Sequence, residues 1–308
     1  MNTAPVVCLL GPTASGKTAL ALPLAEALDA EVISVDSALV YRGMDIGTAK
    51  PDRDEQARVT HHLIDIVNPD VAYSAARFAQ DALAAISEIR NRGKRPLLAG
   101  GTMLYYKALA EGFAPLPEAD AAVRKHLAEA LQVRGADALH GELHDVDPVA
   151  AARIHKNDPQ RLLRALEVYR LTGRPLSELQ ADTKPAFNEP MRSFALVPES
   201  RAWLHERIAA RLELMAAAGF IEEVKQLAAA GLSRELPALK SVGYRQVLEA
   251  LDADDLPRWK DKTLVATRQL AKRQLTWLRG MDGIERIACD QLSVAQQLER
   301  ILDGLPLS

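Results

Sequence analysis

The sequence predicts an α/β protein, a parallel β-sheet flanked by helices and interrupted by an all-helical insertion. Three observations predict it. Short β-branched runs alternate with helical patterns over the first hundred residues, an order that builds a parallel sheet with right-handed crossovers. A glycine-rich phosphate-binding motif separates the first run from the first helix. From Glu118 to about Leu179 the strands give way to helical pattern alone, before a strand-like run returns.

Pro5 to Leu10 (PVVCLL) is a short apolar run, and its valines and its stop at Gly11 favour a strand over a buried helix fragment. Thr18 to about Leu28 reads as a helix that Pro23 should kink. Glu31 to Val35 (EVISV) is a second strand, and His62 to Val67 (HLIDIV) a third, ended by Asn68-Pro69. Ser74 to Arg92 is amphipathic, with Phe78, Leu83, Ile86 and Ile89 on its apolar side; Gly93 caps it and Arg95 to Ala99 follows as a fourth strand. Pro115 to Pro117 breaks the chain. Residues 117–187 are assigned to a helical insertion, and 1–116 with 188–308 to the core domain. Arg192 to Pro198 returns to the sheet. Ala202 to Ala217 and Phe220 to Ala229 are helices parted by Gly219, Lys260 to Leu278 is a long helix, and Ile284 to Cys289 a last short strand.

At about 150 residues per domain, 308 residues predict about two domains. With 48% hydrophobic and 26% charged residues the composition is that of an ordinary globular chain, which excludes disorder, collagen and coiled coil for the bulk of it. The net charge of -3 means that a nucleic-acid partner must be held by a local basic face. Two cysteines, Cys8 and Cys289, are too few for a disulfide framework or a thiolate zinc site and fit a reducing cytoplasm; Cys8 reads as core. The N-terminus lacks a basic n-region, and no stretch approaches 18 consecutive apolar residues, so neither a signal peptide nor a membrane span is expected.

Gly11-Pro12-Thr13-Ala14-Ser15-Gly16-Lys17-Thr18 matches G-x-x-x-x-G-K-[ST] between a strand and a helix, the context that makes it a P-loop. Glycines let backbone amides wrap a phosphate, the helix N-terminus adds partial positive charge, Lys17 adds a full one, and the Thr18 hydroxyl can ligate Mg²⁺. The fold class is therefore P-loop NTPase-like. The base-reading N-K-x-D is absent, and no long apolar strand ends in a Walker-B-like aspartate: the fourth ends in Ala99-Gly100-Gly101-Thr102. That argues against a switch or motor ATPase and leaves small-molecule kinases and other enzymes that hold a di- or triphosphate.

Chemistry in open parallel sheets sits beyond the carboxyl ends of the strands. Asp36 follows the second strand and Thr102 the fourth, so both should face the P-loop. Asp36 there is a general base, a magnesium partner, or a helix-cap or turn residue. Thr102 is a site residue or the N-cap of a helix beginning near Met103.

Longer blocks carry a resemblance. Val35 to Pro51 (VDSALVYRGMDIGTAKP), Ala99 to Leu109 (AGGTMLYYKAL), Asn157 to Tyr169 (NDPQRLLRALEVY), Ser241 to Gln246 (SVGYRQ) and Ala266 to Arg279 (ATRQLAKRQLTWLR) resemble the bacterial tRNA dimethylallyltransferases, in family order and over nearly the whole chain. The resemblance implies transfer of a five-carbon prenyl group from dimethylallyl diphosphate to the exocyclic N6 amine of the adenosine 3′-adjacent to the anticodon. Ionising an allylic C–O bond leaves a stabilised cation and a diphosphate, so the P-loop, Lys17 and Mg²⁺ near Thr18 would stabilise the leaving group with no ATP hydrolysis. It further implies Asp36 as the base for the amine and Thr102 against the reacting nucleotide or diphosphate. Arg207 and Arg211, four apart on one helix, are by that spacing candidates to add charge at the diphosphate, and otherwise a solvated arginine face.

Two basic stripes suggest where RNA would lie. Arg153, Lys156, Arg161, Arg164, Arg170 and Arg174 face only Asp158 and Glu167 within their span; Asp158-Pro159 starts that helix and Gly173 stops it. Lys260, Lys262, Arg268, Lys272, Arg273 and Arg279 face only Asp261, with Gln269, Gln274 and Trp277 interleaved as candidate base-reading or stacking groups. Either stripe alone is also what a soluble amphipathic helix shows. By resemblance, the RNA-contacting set is Asp36, Ser37, Ala38, Leu39, Thr102, Arg124, Gln160, Arg161, Leu162, Leu163, Arg164, Lys240, Ser241, Val242, Gly243, Tyr244, Arg245, Lys272, Arg273, Gln274, Trp277 and Arg279, with Tyr244 alternatively a core residue. His61-His62 lacks an accompanying ligand set, since neighbours on a strand point to opposite faces. The expected partners are the tRNA anticodon stem-loop and dimethylallyl diphosphate, with Mg²⁺ as cofactor, in a cytoplasmic monomer. A P-loop small-molecule kinase would leave the stripes unexplained, and a non-catalytic RNA-binding protein has no use for Lys17, Thr18 and Asp36 at one strand edge.

Overall fold

The computed structural model describes residues 4–112, 114, 116–183, 185 and 187–305. It divides into two compact units, Met1–Ala110 with Phe187–Ser308, and Glu111–Ala186. Pro115, part of the expected break, lies outside the described residues.

The first unit is built on a six-stranded, all-parallel sheet: β1 (Val6–Leu10), β2 (Ala30–Val35), β3 (His61–His62), β4 (Arg95–Gly100), β5 (Met191–Leu196) and β6 (Ile284–Ile287), in the order β3-β2-β4-β1-β5-β6. Every residue of β1 and β2 is buried, which is why both read as near-continuous apolar runs: helices cover both faces of a parallel sheet. Glu31 is the charged exception on β2. It accepts from Arg92 Nη2 at 2.7 Å, contacts His62 Nε2 at 2.6 Å, and is held below the usual carboxylate range chiefly by the Arg92 hydrogen bond. His62 is thereby accounted for without a metal.

Helices α1 (Lys17–Ala27), α2 (Arg53–Arg58), α3 (Ala75–Asn91) and α4 (Met103–Ala110) belong to the first half of this unit. The N-terminus of α3 is fixed by the Ser74 side chain, which accepts from the Arg77 amide at 3.1 Å. Helix α1 is continuous through Pro23, with Leu20, Leu22 and Leu24 on either side of it packed in the core. The third strand is also corrected. It ends at His62, since Leu63 and Asp65 take φ of 62° and 56° and turn the chain away. Asp65, Ile66 and Val67 then donate their amides to the Leu39 and Val40 carbonyls, and Lys50 Nζ bonds Asp65 and Asp45 at 2.5 Å each.

The second half adds α9 (Arg201–Ala217), α10 (Phe220–Ala229), α11 (Tyr244–Asp252), α12 (Trp259–Arg279) and α13 (Val294–Asp303). Helices α2, α11 and α13 were not anticipated. Leu204 and Ile208 of α9 pack on Ala271 and Leu275 of α12, with Ala14 of the P-loop against the same cluster. This packing brings the C-terminal helices to the phosphate loop.

The second unit holds α5 (Ala121–Val146), α6 (Pro148–Arg153), α7 (Pro159–Thr172) and α8 (Leu176–Ala181) around Leu127, Leu139, Leu143, Leu162, Leu166 and Val168. Helix α5 is broken at Gly135, which leaves helical geometry at φ 80°, ψ 167°. Asp158, Pro159 and Gly173 bound α7 as their types require: the Asp158 carboxylate accepts from the Arg161 amide, Pro159 opens the first turn, and Gly173 closes the helix in the left-handed region.

Candidate active site

Strands β2, β4 and β1 are neighbours, and their carboxyl ends are level: Gly100 pairs with Leu10 on one side and Val35 on the other. The next residues along are Gly11, Gly101 and Asp36. Thus three segments far apart in sequence are brought to one sheet edge. The Thr102 amide donates to the Val35 carbonyl at 3.0 Å, which ties the fourth-strand loop to the second.

The phosphate loop wraps from Gly11 to Gly16, and Gly16 starts α1 at φ 98°. Lys17 Nζ donates to the Gly11 and Pro12 carbonyls at 2.9 and 2.6 Å. Burial pushes the Lys17 ammonium down to about 8, Arg211 adds to that, and Asp36 opposes it. Arg211 bridges Thr13 Oγ1 at 3.5 Å and the Thr48 carbonyl at 3.1 Å, and Arg207 Nε donates to the Ala14 carbonyl at 2.8 Å while its guanidinium stacks on Trp203. Arg211 is withdrawn from solvent, while Arg207 remains exposed although it is tied to the loop. With Lys17 they concentrate three cations about a loop of backbone amides, the arrangement that stabilises a polyanion. The Ser15 hydroxyl, buried in the loop, has no hydrogen-bond partner among the described residues.

Asp36 Oδ1 accepts from the Ala38 and Leu39 amides at 2.8 and 3.4 Å. One carboxylate oxygen therefore fixes the turn; Oδ2 takes no such bond among the described residues. Thr102 Oγ1 accepts from the Ser37 amide at 3.0 Å and lies 3.3 Å from Ser37 Oγ. Asp36 thus holds a turn, one of the roles its position offered, and Thr102 is bonded to that turn at Ser37 while opening α4, where its carbonyl accepts from the Tyr106 amide at 3.3 Å.

These groups open on one cavity of about 590 Å³. The P-loop, Lys17, Thr18, Asp36, Thr102 and Arg211 supply its polar wall, and Leu39, Met103, Leu212, Met215, Phe220 and Leu270 much of its apolar wall. Gly47 and Thr48, which were not singled out from the sequence, complete it. Gly47 has a steric reason to be glycine: a Cβ there would sit 2.1 Å from Phe220 Cε2 and 2.7 Å from the Tyr244 ring. Glu223 holds this loop by accepting the amides of Asp45, Ile46 and Gly47 at 2.7–3.1 Å. No local pattern marks Glu223, because its partners are more than 170 positions away in sequence. Among the described residues no cluster of three or more His, Cys, Asp and Glu is formed, so a metal here would be held mostly by ligand oxygens and water. The Thr18 side chain, exposed at the first turn of α1, lines the same cavity, and its hydroxyl has no hydrogen-bond partner among the described residues.

Several expected RNA contacts are placed otherwise. Tyr244 is core: it is fully buried, edge-on to Phe220, and its hydroxyl donates to Glu223 Oε1 at 2.6 Å. Leu162 is fully buried in the helical unit, while Leu163 is half-buried and Gln160 and Arg161 are exposed. Arg124 and Arg164 both bond the buried Glu167, at 3.0 and 2.8 Å. The first stripe is largely neutralised within its own unit. Lys156 pairs with Asp137, Arg161 with Asp158, Arg170 with Glu142, and Arg174 with Glu178 and Asp182. Most of these acids come from α5 and α8, outside the span over which the stripe seemed unopposed. The second stripe differs. Lys260 pairs with Glu213, but Lys262, Arg268, Lys272, Arg273 and Arg279 have no ion pair among the described residues. Trp277 is 39% exposed and lines the cavity, as do Lys240, Ser241, Val242 and Gly243. Lys240 pairs with Glu235, and Arg245 is exposed. Gln274 is not a free amide: both of its polar atoms are bonded to backbone, at Thr13 and Gly101.

The arrangement has known counterparts. The chain is 54% identical over 299 residues to a tRNA dimethylallyltransferase of Methylibium petroleiphilum, covering 95% of this chain and 91% of that one. It superimposes on the crystal structure of the full-length tRNA isopentenylpyrophosphate transferase of Bacillus halodurans with a TM-score of 0.71 at 37% identity, covering 98% and 95% of the two chains. A eukaryotic dimethylallyltransferase solved acting on tRNA gives a TM-score of 0.80 at 25% identity, over 99% of this chain and 81% of that one. The family model described as IPP transferase matches residues 39–281. With the match running over most of the chain and the sheet edge assembled as described, this protein belongs to the IPP transferase family.

Proposed function

We propose that the protein transfers a dimethylallyl group from dimethylallyl diphosphate to the N6 amine of the adenosine 3′-adjacent to the tRNA anticodon, releasing diphosphate. The observation that carries this reading is the shared cavity: a cationic phosphate cradle and a carboxylate with one free oxygen open on the same partly apolar space. The names of the relatives point to the same substrates. A phosphate-transferring kinase would not need the unpaired basic helix beside that cavity.

In this reading the P-loop amides, Lys17 and Arg211 bind the diphosphate and stabilise it as the allylic C–O bond breaks. The N6 amine forms the new C–N bond, and its proton passes to Asp36 Oδ2. Thr102 holds Ser37, and through it the turn that carries Asp36. The apolar wall shields the allylic cation from water. Mg²⁺ on Thr18 would add charge neutralisation at the diphosphate. The target base leaves its stack to reach the cavity, as enzymes acting on bases require. A tRNA substrate implies work in the cytoplasm. No helix among the described residues is long and apolar enough to cross a membrane.

The test is transfer of label from radioactive dimethylallyl diphosphate to unmodified tRNA, with Mg²⁺ and without ATP. Label in tRNA is expected; γ-phosphate transfer from ATP to a small acceptor, with no label in tRNA, would overturn the reading. A second experiment separates the two basic stripes. Lys272→Glu with Arg273→Glu should weaken tRNA binding and reduce the slope of log K against log salt by roughly 1–2, about one per lost phosphate contact. Arg170→Gln with Arg174→Gln should change binding little, since those charges already have protein partners. The reverse ranking would assign the RNA face to α7.

A further inference from the structure

Gln274 is the point at which α12 meets both the phosphate loop and the strand-end glycines. Its Oε1 accepts the Thr13 amide proton at 2.8 Å, and its Nε2 donates to the Gly101 carbonyl at 2.8 Å. These partners fix the amide's orientation: flipped, it would set donor against donor and acceptor against acceptor. The fit is close enough to dictate position 101. A Cβ on Gly101 would lie 2.6 Å from Gln274 Nε2 and 3.0 Å from the Gly11 carbonyl oxygen.

The same helix carries the unpaired charge. Thr263, Thr267, Leu270, Gln274 and Trp277 follow at helical spacing and line the cavity. Lys262, Val265, Gln269 and Arg273 line an adjoining surface groove together with Asp261 of the same helix and with Arg245, Gln246 and Glu249 of α11. Arg273 borders both. An RNA strand held by Arg273 and Lys272 is therefore gripped within two residues of the side chain that holds Thr13 and Gly101.

We propose that Gln274 is a positioning residue that couples RNA docking on α12 to the seating of diphosphate in the P-loop. One planar amide joins the helix to both walls of the diphosphate site, so a shift of α12 moves Thr13 and Gly101 in concert. Binding that orders α12 also orders the cradle, and by linkage a seated diphosphate strengthens RNA binding by the same factor. The inference rests on the prenyl-transfer reading and deepens it: Gln274 acts through the backbone of the P-loop, not as a reader of bases.

The test titrates inorganic pyrophosphate into the full chain by calorimetry, with and without an anticodon stem-loop RNA. Label transfer to tRNA is measured in parallel. In the wild type the RNA should tighten pyrophosphate binding by about fivefold or more, within the usual range for coupled sites. In Gln274→Met, which keeps length and loses both hydrogen bonds, that ratio should fall to near one, with affinity for the RNA alone unchanged and kcat reduced. Gln274→Glu keeps the acceptor for Thr13 but faces Gly101 with an oxygen, and should lose coupling as well. An unchanged ratio in both variants, a wild-type ratio of one, or a large loss of RNA affinity in Gln274→Met would each overturn the inference. Failure of the wild type to label tRNA would instead overturn the functional reading on which it rests.

Discussion

Asp36→Ala should lower kcat for prenyl transfer by about 10²–10⁴, the usual worth of a positioned general base. Binding of tRNA should change little. The expectation rests on the division of labour between the two carboxylate oxygens: Oδ1 is spent on the Ala38 and Leu39 amides, and Oδ2 has no hydrogen-bond partner among the described residues. Asp36→Asn keeps an acceptor for those amides and removes only the basicity. It should therefore retain the turn and still lose most of the turnover. Single-turnover label transfer measures the chemical step directly. Wild-type rates in Asp36→Asn would assign Asp36 to structure alone and require another base.

Lys17→Met should cost about 10²–10³ in kcat, near 3–4 kcal/mol, the scale for losing one preorganised donor to a developing anion. A second signature is a proton count. Burial holds Lys17 at about 8, below its ordinary 10.5. A bound diphosphate restores the charged form, so above about pH 8 binding should take up part of a proton at Lys17. Pyrophosphate titrations in buffers of different ionisation enthalpy should show more uptake for wild type than for Lys17→Met. Equal uptake would mean that Lys17 stays charged in the unloaded site. The sign for stability is the opposite of the common case. Between about 8 and 10.5 the unfolded chain holds a proton at Lys17 that the folded chain has released, so this group adds stability as pH rises through that window.

The two cysteines bear on handling rather than on mechanism. Burial pushes Cys8 up to about 12 and Cys289 up to about 11, so both remain thiols at neutral pH. Alkylating agents should leave the folded protein's activity intact.

Much of the site was legible because it is local. The P-loop is one continuous stretch whose spacing dictates its geometry, and Asp36 and Thr102 announce themselves by following apolar runs. Capping at Asp158-Pro159 and Gly173 is equally local. The third strand was misjudged because His62 to Val67 has the composition of a strand, while Leu63 and Asp65 adopt positive φ to serve contacts with Lys50, Leu39 and Val40.

The sequence by itself determined the sheet-forming runs, the phosphate loop and the residue types offered at the strand ends. A motif confined to a few neighbouring positions carries its own backbone geometry. Only the tertiary structure decided which charges remain free and which polar groups are already spent. Two stripes alike in sequence part ways because Asp137, Glu142, Glu178 and Asp182 fold against one of them, while most of the other is left unopposed. Tyr244 and Gln274 look like surface readers until Glu223, Thr13 and Gly101 arrive from distant positions to claim them. Pairing and desolvation depend on what lies opposite in space, and spacing along the chain does not record it.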